Sequence, residues 1–223
     1  MKDTWKQCVD ERVFKAMFSD KMEEQLAALQ SWKFKVQEQS CSIEHVLDLL
    51  LKWLTYLLMN ANTQIWKAIV EVLGCILSQV EASGCQLSER EAQILMPNLL
   101  ERSGHNIAAI RESMEVLLRH VLAVHPRLRI LPMLLQGLLS KNKRSVACAM
   151  RCLAEAQDRQ LAAALVRSQK DVTLILKAAD DKDADVRKSA VQVLASLAQH
   201  VDNQTLGRIL KSLPANTQQV VRS

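Results

Sequence analysis

The chain has 223 residues, 49% of them hydrophobic and 24% charged, with 29 basic against 24 acidic residues and a net charge of +5. That length can bury a continuous core, and five Gly, four Pro and 4% aromatics are too few turn and strand residues for a strand-rich fold. The mild positive excess permits an acidic partner, but no polybasic run marks a nucleic-acid tail.

Good helix formers dominate, so the expected class is all-α. Taken in chain order, residues 1–20 predict a capping helix whose apolar face carries Trp5, Val9, Val13 and Phe14. Residues 11–36 read as a loose helical pair with Ser19 and Asp20 in its loop. Residues 46–77 give a first helix, a loop at Asn60–Thr63 and a second helix starting near Gln64. The apolar run 46–59 is too short for a bilayer and carries Asp48 and Lys52, so it reads as a core helix. The segments 94–121, 130–156 and 172–199 each repeat the scheme of helix, short polar loop and second helix. Pro97 and Pro132 hold equivalent places in the first helices. Residues 203–223 predict a closing helix with Leu206, Leu210 and Leu213 on one side.

A unit of two helices recurring every ~35–45 residues is the signature of an α-solenoid, which needs a cap at each end. The whole of 1–223 is therefore expected to be one domain of about five to six such repeats. The second helices open alike: Ile110-Arg111 matches Val186-Arg187, with Ile65-Trp66 and Ser145-Val146 in the same place. The Val should turn inward between the paired helices. The Arg should reach outward, toward an Asp of its own or the neighbouring loop, either as a structural bracket or as a partner contact. Asp181, Asp183 and Asp185 are placed to cap the last second helix.

Nothing points to catalysis. No Gly-rich phosphate loop, HExxH or GxSxG motif occurs. Cys148 and Cys152 stand four apart but have no third ligand nearby, and their apolar surroundings read as core. The six cysteines include no CxxC pair, and no signal peptide is evident, so a reducing compartment is expected. No metal, cofactor, nucleic acid or membrane is expected.

The unit at 172–199, with Asp183, Val186, Arg187, Ala190 and Leu194 in step, resembles a HEAT repeat. Four stretches sharpen this. "LLKWLTYLLMNANTQIWKAI" (50–69) carries a KWLT motif and an Asn-Thr loop. "LSEREAQILMPNLLERSGHNIAAIRESM" (87–114) has an acidic entry, a Gly turn and Ile-Arg. "HPRLRILPMLLQGLLSKNKRSVACAMRCL" (125–153) has the Ser-Lys-Asn loop, and "DDKDADVRKSAVQVL" (180–194) the acidic loop before Val-Arg. Together, over roughly 11–213, the chain resembles a TOG domain of the microtubule polymerase family, most like the fifth, C-terminal-most TOG of animal-type arrays.

That resemblance implies a flat paddle of HEAT repeats whose intra-repeat loops line one edge and bind αβ-tubulin or microtubules. It implies a monomeric module of a longer multi-TOG chain, located on the cytoplasmic cytoskeleton at microtubules, spindle, centrosome or basal body. The first two loops would meet β-tubulin and the later ones α-tubulin. The corresponding loops are residues 19–22, 60–65, 102–107, 140–144 and 180–185. The candidate contacts in them are Lys21, Met22, Asn62, Thr63, Ile65 (as an apolar tip), Arg102, His105, Asn106, Lys141, Asn142, Lys143, Arg144 and Lys182. The cations suit acidic tubulin by steering and charge-assisted bonding. Asn62, Asn106 and Asn142 have helix capping as their alternative role. Many TOG domains place a Trp in loop one as an apolar anchor. Here Met22 or Lys21 stands there, and loss of an aromatic anchor worth ~2 kcal/mol favours a weaker module acting on lattice tubulin beside its array neighbours. The competing expectation is a generic HEAT scaffold that takes a peptide on its curved face through residues such as Glu115, Arg119 and Gln192.

Overall fold

The computed structural model describes residues 9, 11–38, 46–60, 62–211, 213, 218, 219 and 221. Among these, the secondary structure is helical, with twelve successive helices and no strand. By chain contacts the protein divides into two compact units, residues 1–98 and 99–223.

The first unit holds α1 (Glu11–Met17), α2 (Met22–Gln37), α3 (Leu47–Asn60), α4 (Thr63–Ala82) and most of α5 (Glu89–Arg102). The helix α1 packs on α2, and α3 on α4, and the two second helices α2 and α4 stack on each other. The stack forms because α4 places Ile65, Trp66, Ile69, Val72, Leu73, Ile76 and Leu77 at helical spacing on its buried face. Two tryptophans anchor this core, and each has a partner for its polar tip. Trp53, fully buried, donates its indole N–H to the Met17 carbonyl at 3.0 Å. Trp32 donates to Met17 Sδ at 3.5 Å. The KWLT motif thus contributes a central core residue. After α4 the chain reverses at Gly84, whose φ of +64° suits glycine.

The second unit holds the end of α5, then α6 (Ala108–Val124), α7 (Arg127–Gly137), α8 (Lys143–Glu155), α9 (Arg159–Arg167), α10 (Gln169–Ala179), α11 (Ala184–Ala198) and α12 (Asn203–Leu210). Here α7 pairs with α8 and α10 with α11, while the second helices α6, α8 and α11 stack in turn. Pro97 and Pro132 lie inside the first helices α5 and α7, each on the exposed side, where the carbonyl they leave unbonded can meet water. Cys148 and Cys152 are core residues, 1% and 5% exposed. Their mutual hydrogen bond, with burial, raises the Cys152 thiol pKa well above its ordinary value.

One helix had no counterpart in the expected repeat scheme. Asp158 caps α9 by accepting the Leu161 N–H at 2.8 Å, and Leu161, Ala162 and Leu165 then bury one narrow face. This short helix packs on α7 and α10, so it is an insertion between two repeats. Of the expected capping segment 1–20, the described part holds α1, which is also the first helix of the expected pair at 11–36. Trp5 and most of the remaining lead lie outside the described residues, as does much of 203–223 beyond α12.

Candidate functional site

The loops that join first to second helices follow one register. Each second helix starts at an N-cap residue: Lys21, Asn62, Ile107, Asn142 and Asp183 for α2, α4, α6, α8 and α11. Three positions later stand Glu24, Ile65, Ile110, Ser145 and Val186. Four of these point inward, with Ile65 6%, Ile110 9%, Ser145 1% and Val186 0% exposed. The expectation of Ile65 as an apolar tip is therefore corrected. It occupies the same inward position as Val186, and the helical period forces it into the core.

One residue further along is the bracket. Arg187 donates from one guanidinium nitrogen to the carbonyls of Asp181 (2.7 Å) and Lys182 (2.8 Å). Arg111 does the same to the carbonyls of His105 and Asn106, both at 2.9 Å. In the first loop Gln25 takes this place and donates to the Ser19 carbonyl at 2.7 Å. The Arg of the Val-Arg pair thus folds its own loop. Its acceptors are main-chain carbonyls, not the expected Asp carboxylate.

Asn62 and Asn142 cap their helices, as one of the two expected roles had it. Asn62 Oδ1 accepts the N–H groups of Gln64 and Ile65, each at 3.0 Å, and Asn142 Oδ1 accepts that of Arg144 at 3.0 Å. Asn106 does not cap, since Ile107 is the N-cap of α6. Its Oδ1 instead accepts from Arg144 at 3.0 Å.

In both units these loops are stitched to their neighbours. In the first, Asn62 Nδ2 donates to Met22 Sδ at 2.8 Å, joining loop two to loop one. Met22 is 37% exposed, Thr63 is exposed, and Lys21 pairs with Glu24 at 3.2 Å. In the second unit Asn142 Nδ2 donates to the Gly104 carbonyl at 3.0 Å. Lys143 pairs with Asp181 at 2.5 Å, tying loop four to loop five. Asp181 accepts from the Asp183 N–H and from Lys143, which together hold its pKa below the usual carboxylate value.

Loops three and four enclose a cleft of about 410 Å³ lined by Glu101, Arg102, His105, Asn106, Lys141 and Asn142, among others. Loops 102–107 and 140–144 carry four cations and no acid, whereas 180–185 carries Lys182 and four aspartates. The positive surface is therefore that of loops three and four. Lys141 and Lys182 are exposed and form no ion pair among the described residues. Lys143 and Arg144 are already engaged within the loop set. His105 Nδ1 accepts the Ile107 N–H at 3.1 Å, shaping loop three from inside.

Two exposed apolar residues join this set that the sequence reading missed, Ile107 (48% exposed) and Leu139 (57%). The available signal was register. Leu139 falls outside the buried face that α7 forms with Ile130, Leu131 and Leu134. Among the described residues no group of three or more His, Cys, Asp or Glu could hold a metal, and no helix is long and apolar enough to cross a membrane.

Paired helices with stacked second members and structured intra-repeat loops define a HEAT-type solenoid, and a HEAT repeat model matches residues 172–201, the span of α10 and α11. More particularly, the chain has the TOG-domain fold. It superposes on the TOG domain of Zyg9 from C. elegans with a TM-score of 0.86 at 22% identity, over 99% of this chain and 83% of that one. A structure solved in work on TOG–tubulin binding specificity gives a TM-score of 0.84 at 22% identity, over 99% and 84% of the two chains. In sequence, the chain is 28% identical to Protein MOR1 of Oryza sativa subsp. japonica over 68% of its length and 8% of that protein. It is 26% identical to Protein mini spindles of Drosophila melanogaster over 85% of its length and 9% of that protein. The chain thus spans less than a tenth of these relatives.

Proposed function

We propose that this chain is a tubulin-binding module that acts within a longer microtubule-associated protein promoting polymerisation or plus-end dynamics, with residues 1–223 as one TOG unit. The observation that carries the reading is the cleft between loops three and four, whose lining holds the cations Arg102 and Lys141 against one acid, Glu101. Tubulin is acidic, and a basic surface with exposed apolar residues beside it combines steering with apolar contact. Similarity to MOR1 and mini spindles, and a fold shared with TOG domains, support the same partner. Arg102, His105, Lys141, Lys182, Ile107 and Leu139 are the proposed contacts of the second unit, and Lys21, Met22 and Thr63 those of the first. Ile65 is excluded by burial. Asn62, Asn106, Asn142, Lys143 and Arg144 shape the loops.

The loop-one anchor is Met22, an unbranched thioether in place of an aromatic ring. Its smaller apolar surface favours a weak module, so the reading extends to lattice tubulin, to the C-terminal-most place in a TOG array, and to the microtubule cytoskeleton and spindle. The test pairs co-sedimentation on stabilised microtubules with gel filtration against free αβ-tubulin, each with and without Lys141→Glu. Pelleting that Lys141→Glu abolishes, with no soluble complex, supports the full reading. A soluble complex that depends on Lys141 keeps tubulin and removes the lattice preference. No binding in either format sinks it.

A second reading has one observation in its favour. A groove of about 560 Å³ runs between α2 and α4, lined by Lys33, Val36, Glu71, Gly74, Cys75 and Gln79, among others. A scaffold that takes a peptide would use this groove, and its binding would ignore Lys141→Glu and respond to Gly74→Leu.

A further inference from the structure

Gly104 has no positive φ to explain it; positive φ among the glycines is confined to Gly84. What explains it is a close approach. A Cβ at position 104 would lie 2.3 Å from Asn142 Nδ2, 2.4 Å from Ser145 Oγ and 2.5 Å from Asn142 Cγ. Ser145 is buried and donates to the Glu101 carbonyl at 3.1 Å, so it has little room to swing aside. The two ends of the Asn142 amide do different jobs. Its oxygen caps α8, while its nitrogen donates to the Gly104 carbonyl, 38 residues away in another loop. A cap needs only the oxygen. The nitrogen's bond serves the spacing of the two loops.

Resting on the tubulin reading above, we propose that Gly104 and Asn142 form an interlock that sets the distance between Arg102 and Lys141 across the cleft. The pair presents those cations in a fixed arrangement before the partner arrives. Asn142 and Gly104 are positioning residues, and the acidic partner meets Arg102 and Lys141. The neighbouring bond from Arg144 to Asn106 holds the same two loops along their rim, and the Lys143–Asp181 pair carries the lock to loop five. Pre-organisation of this kind raises affinity by removing the ordering cost from the binding step.

Asn142→Ser separates the two jobs. Serine is an equally good N-cap but cannot reach Gly104, and no charge changes. Amide exchange at residues 104–107 and 141–144 should quicken by about tenfold, the scale of one neutral hydrogen bond, with a fall in melting temperature of no more than roughly 3–5 °C. Microtubule or tubulin affinity should fall by a similar factor. In a Lys141→Ala background the same substitution should change affinity by less than about twofold, because its effect acts through that cation. Gly104→Ala, which forces the loops apart from the other side, should reproduce the loss.

Additive effects of Asn142→Ser and Lys141→Ala would overturn the proposal, as would wild-type exchange rates in Asn142→Ser. A wild-type chain that binds no tubulin would sink the functional reading instead. Exchange in Asn142→Ser would then decide the interlock alone: faster exchange would keep it as a lock on the loops, and unchanged exchange would remove it.

Discussion

Arg187→Met tests the bracket that folds the loop before α11. The substitution keeps the aliphatic stem and removes two hydrogen bonds from one nitrogen to the Asp181 and Lys182 carbonyls, at 2.7 and 2.8 Å. Hydrogen bonds from a charged donor are worth roughly 1.5–3 kcal/mol where water is excluded. Here the side chain is exposed, both bonds share a nitrogen, and water can replace either. The expected loss is therefore about 1–1.5 kcal/mol. For a chain of this size that lowers Tm by roughly 3–5 °C. Differential scanning calorimetry measures it directly, and amide exchange should show faster opening at 181–183, with α11 beyond its first turn unchanged. Arg187→Lys should recover little, because a lysine reaches the two carbonyls with a single point charge and no fork. A Tm within about 1 °C of wild type for both variants would refute the reasoning. The Val-Arg pair would then owe its form to the inward Val186 alone.

Trp53→Phe should be more costly, by about 2–4 kcal/mol, since it leaves the Met17 carbonyl without its donor in a fully buried site and opens a void beside it. Urea unfolding should show this as a lower midpoint at unchanged slope. Asp181→Asn addresses pH. The Asp183 N–H and Lys143 lower the folded pKa of Asp181, so its stabilisation is present above the unfolded value near ~3.9 and is lost as pH falls through the lower folded one. The melting temperatures of wild type and Asp181→Asn should therefore differ at pH 6–7 and converge below about pH 4. A gap independent of pH would show that the Lys143–Asp181 pair contributes nothing to stability.

The helical pairs were readable because α-solenoids repeat one local problem. A buried stripe, a short polar turn and a second buried stripe recur at a spacing that survives variation in individual residues. The inward position held by Ile110, Ser145 and Val186 could be read from that period. Ile65 belonged to the same column and was misjudged only because a loop boundary was drawn through it. What could not be read was which side chains the loops use on themselves. Lys143 and Arg144 look like two more surface cations in "SKNKR", yet one is bound to Asp181 and the other to Asn106, both 38 residues away. Local sequence carries no sign of that, because the partner is one repeat away and depends on the stacking of α6, α8 and α11. The short α9 was hidden for a related reason. Its buried face is just Leu161, Ala162 and Leu165 wide, below what a periodic pattern can reveal in nine residues.

The same stacking explains why the loop surface takes its form. A solenoid loop is tied at its two ends to its own helices, which leaves its middle free to move. Each device in the second unit removes that freedom by a different route. Arg111 and Arg187 fold a loop onto its own helix, Asn142 ties it to the preceding loop, and Lys143 ties it to the following one. Four polar residues that a composition count would score as solubilising are thus engaged in holding backbone. The cations with no ion pair in the loops, Lys141 and Lys182, stand on turns so held. An exposed lysine on a mobile loop offers a partner little, because ordering the loop offsets the Coulomb gain. Mounted on a braced loop, the same lysine keeps most of that gain, and the repeat period then spaces such groups from one loop to the next.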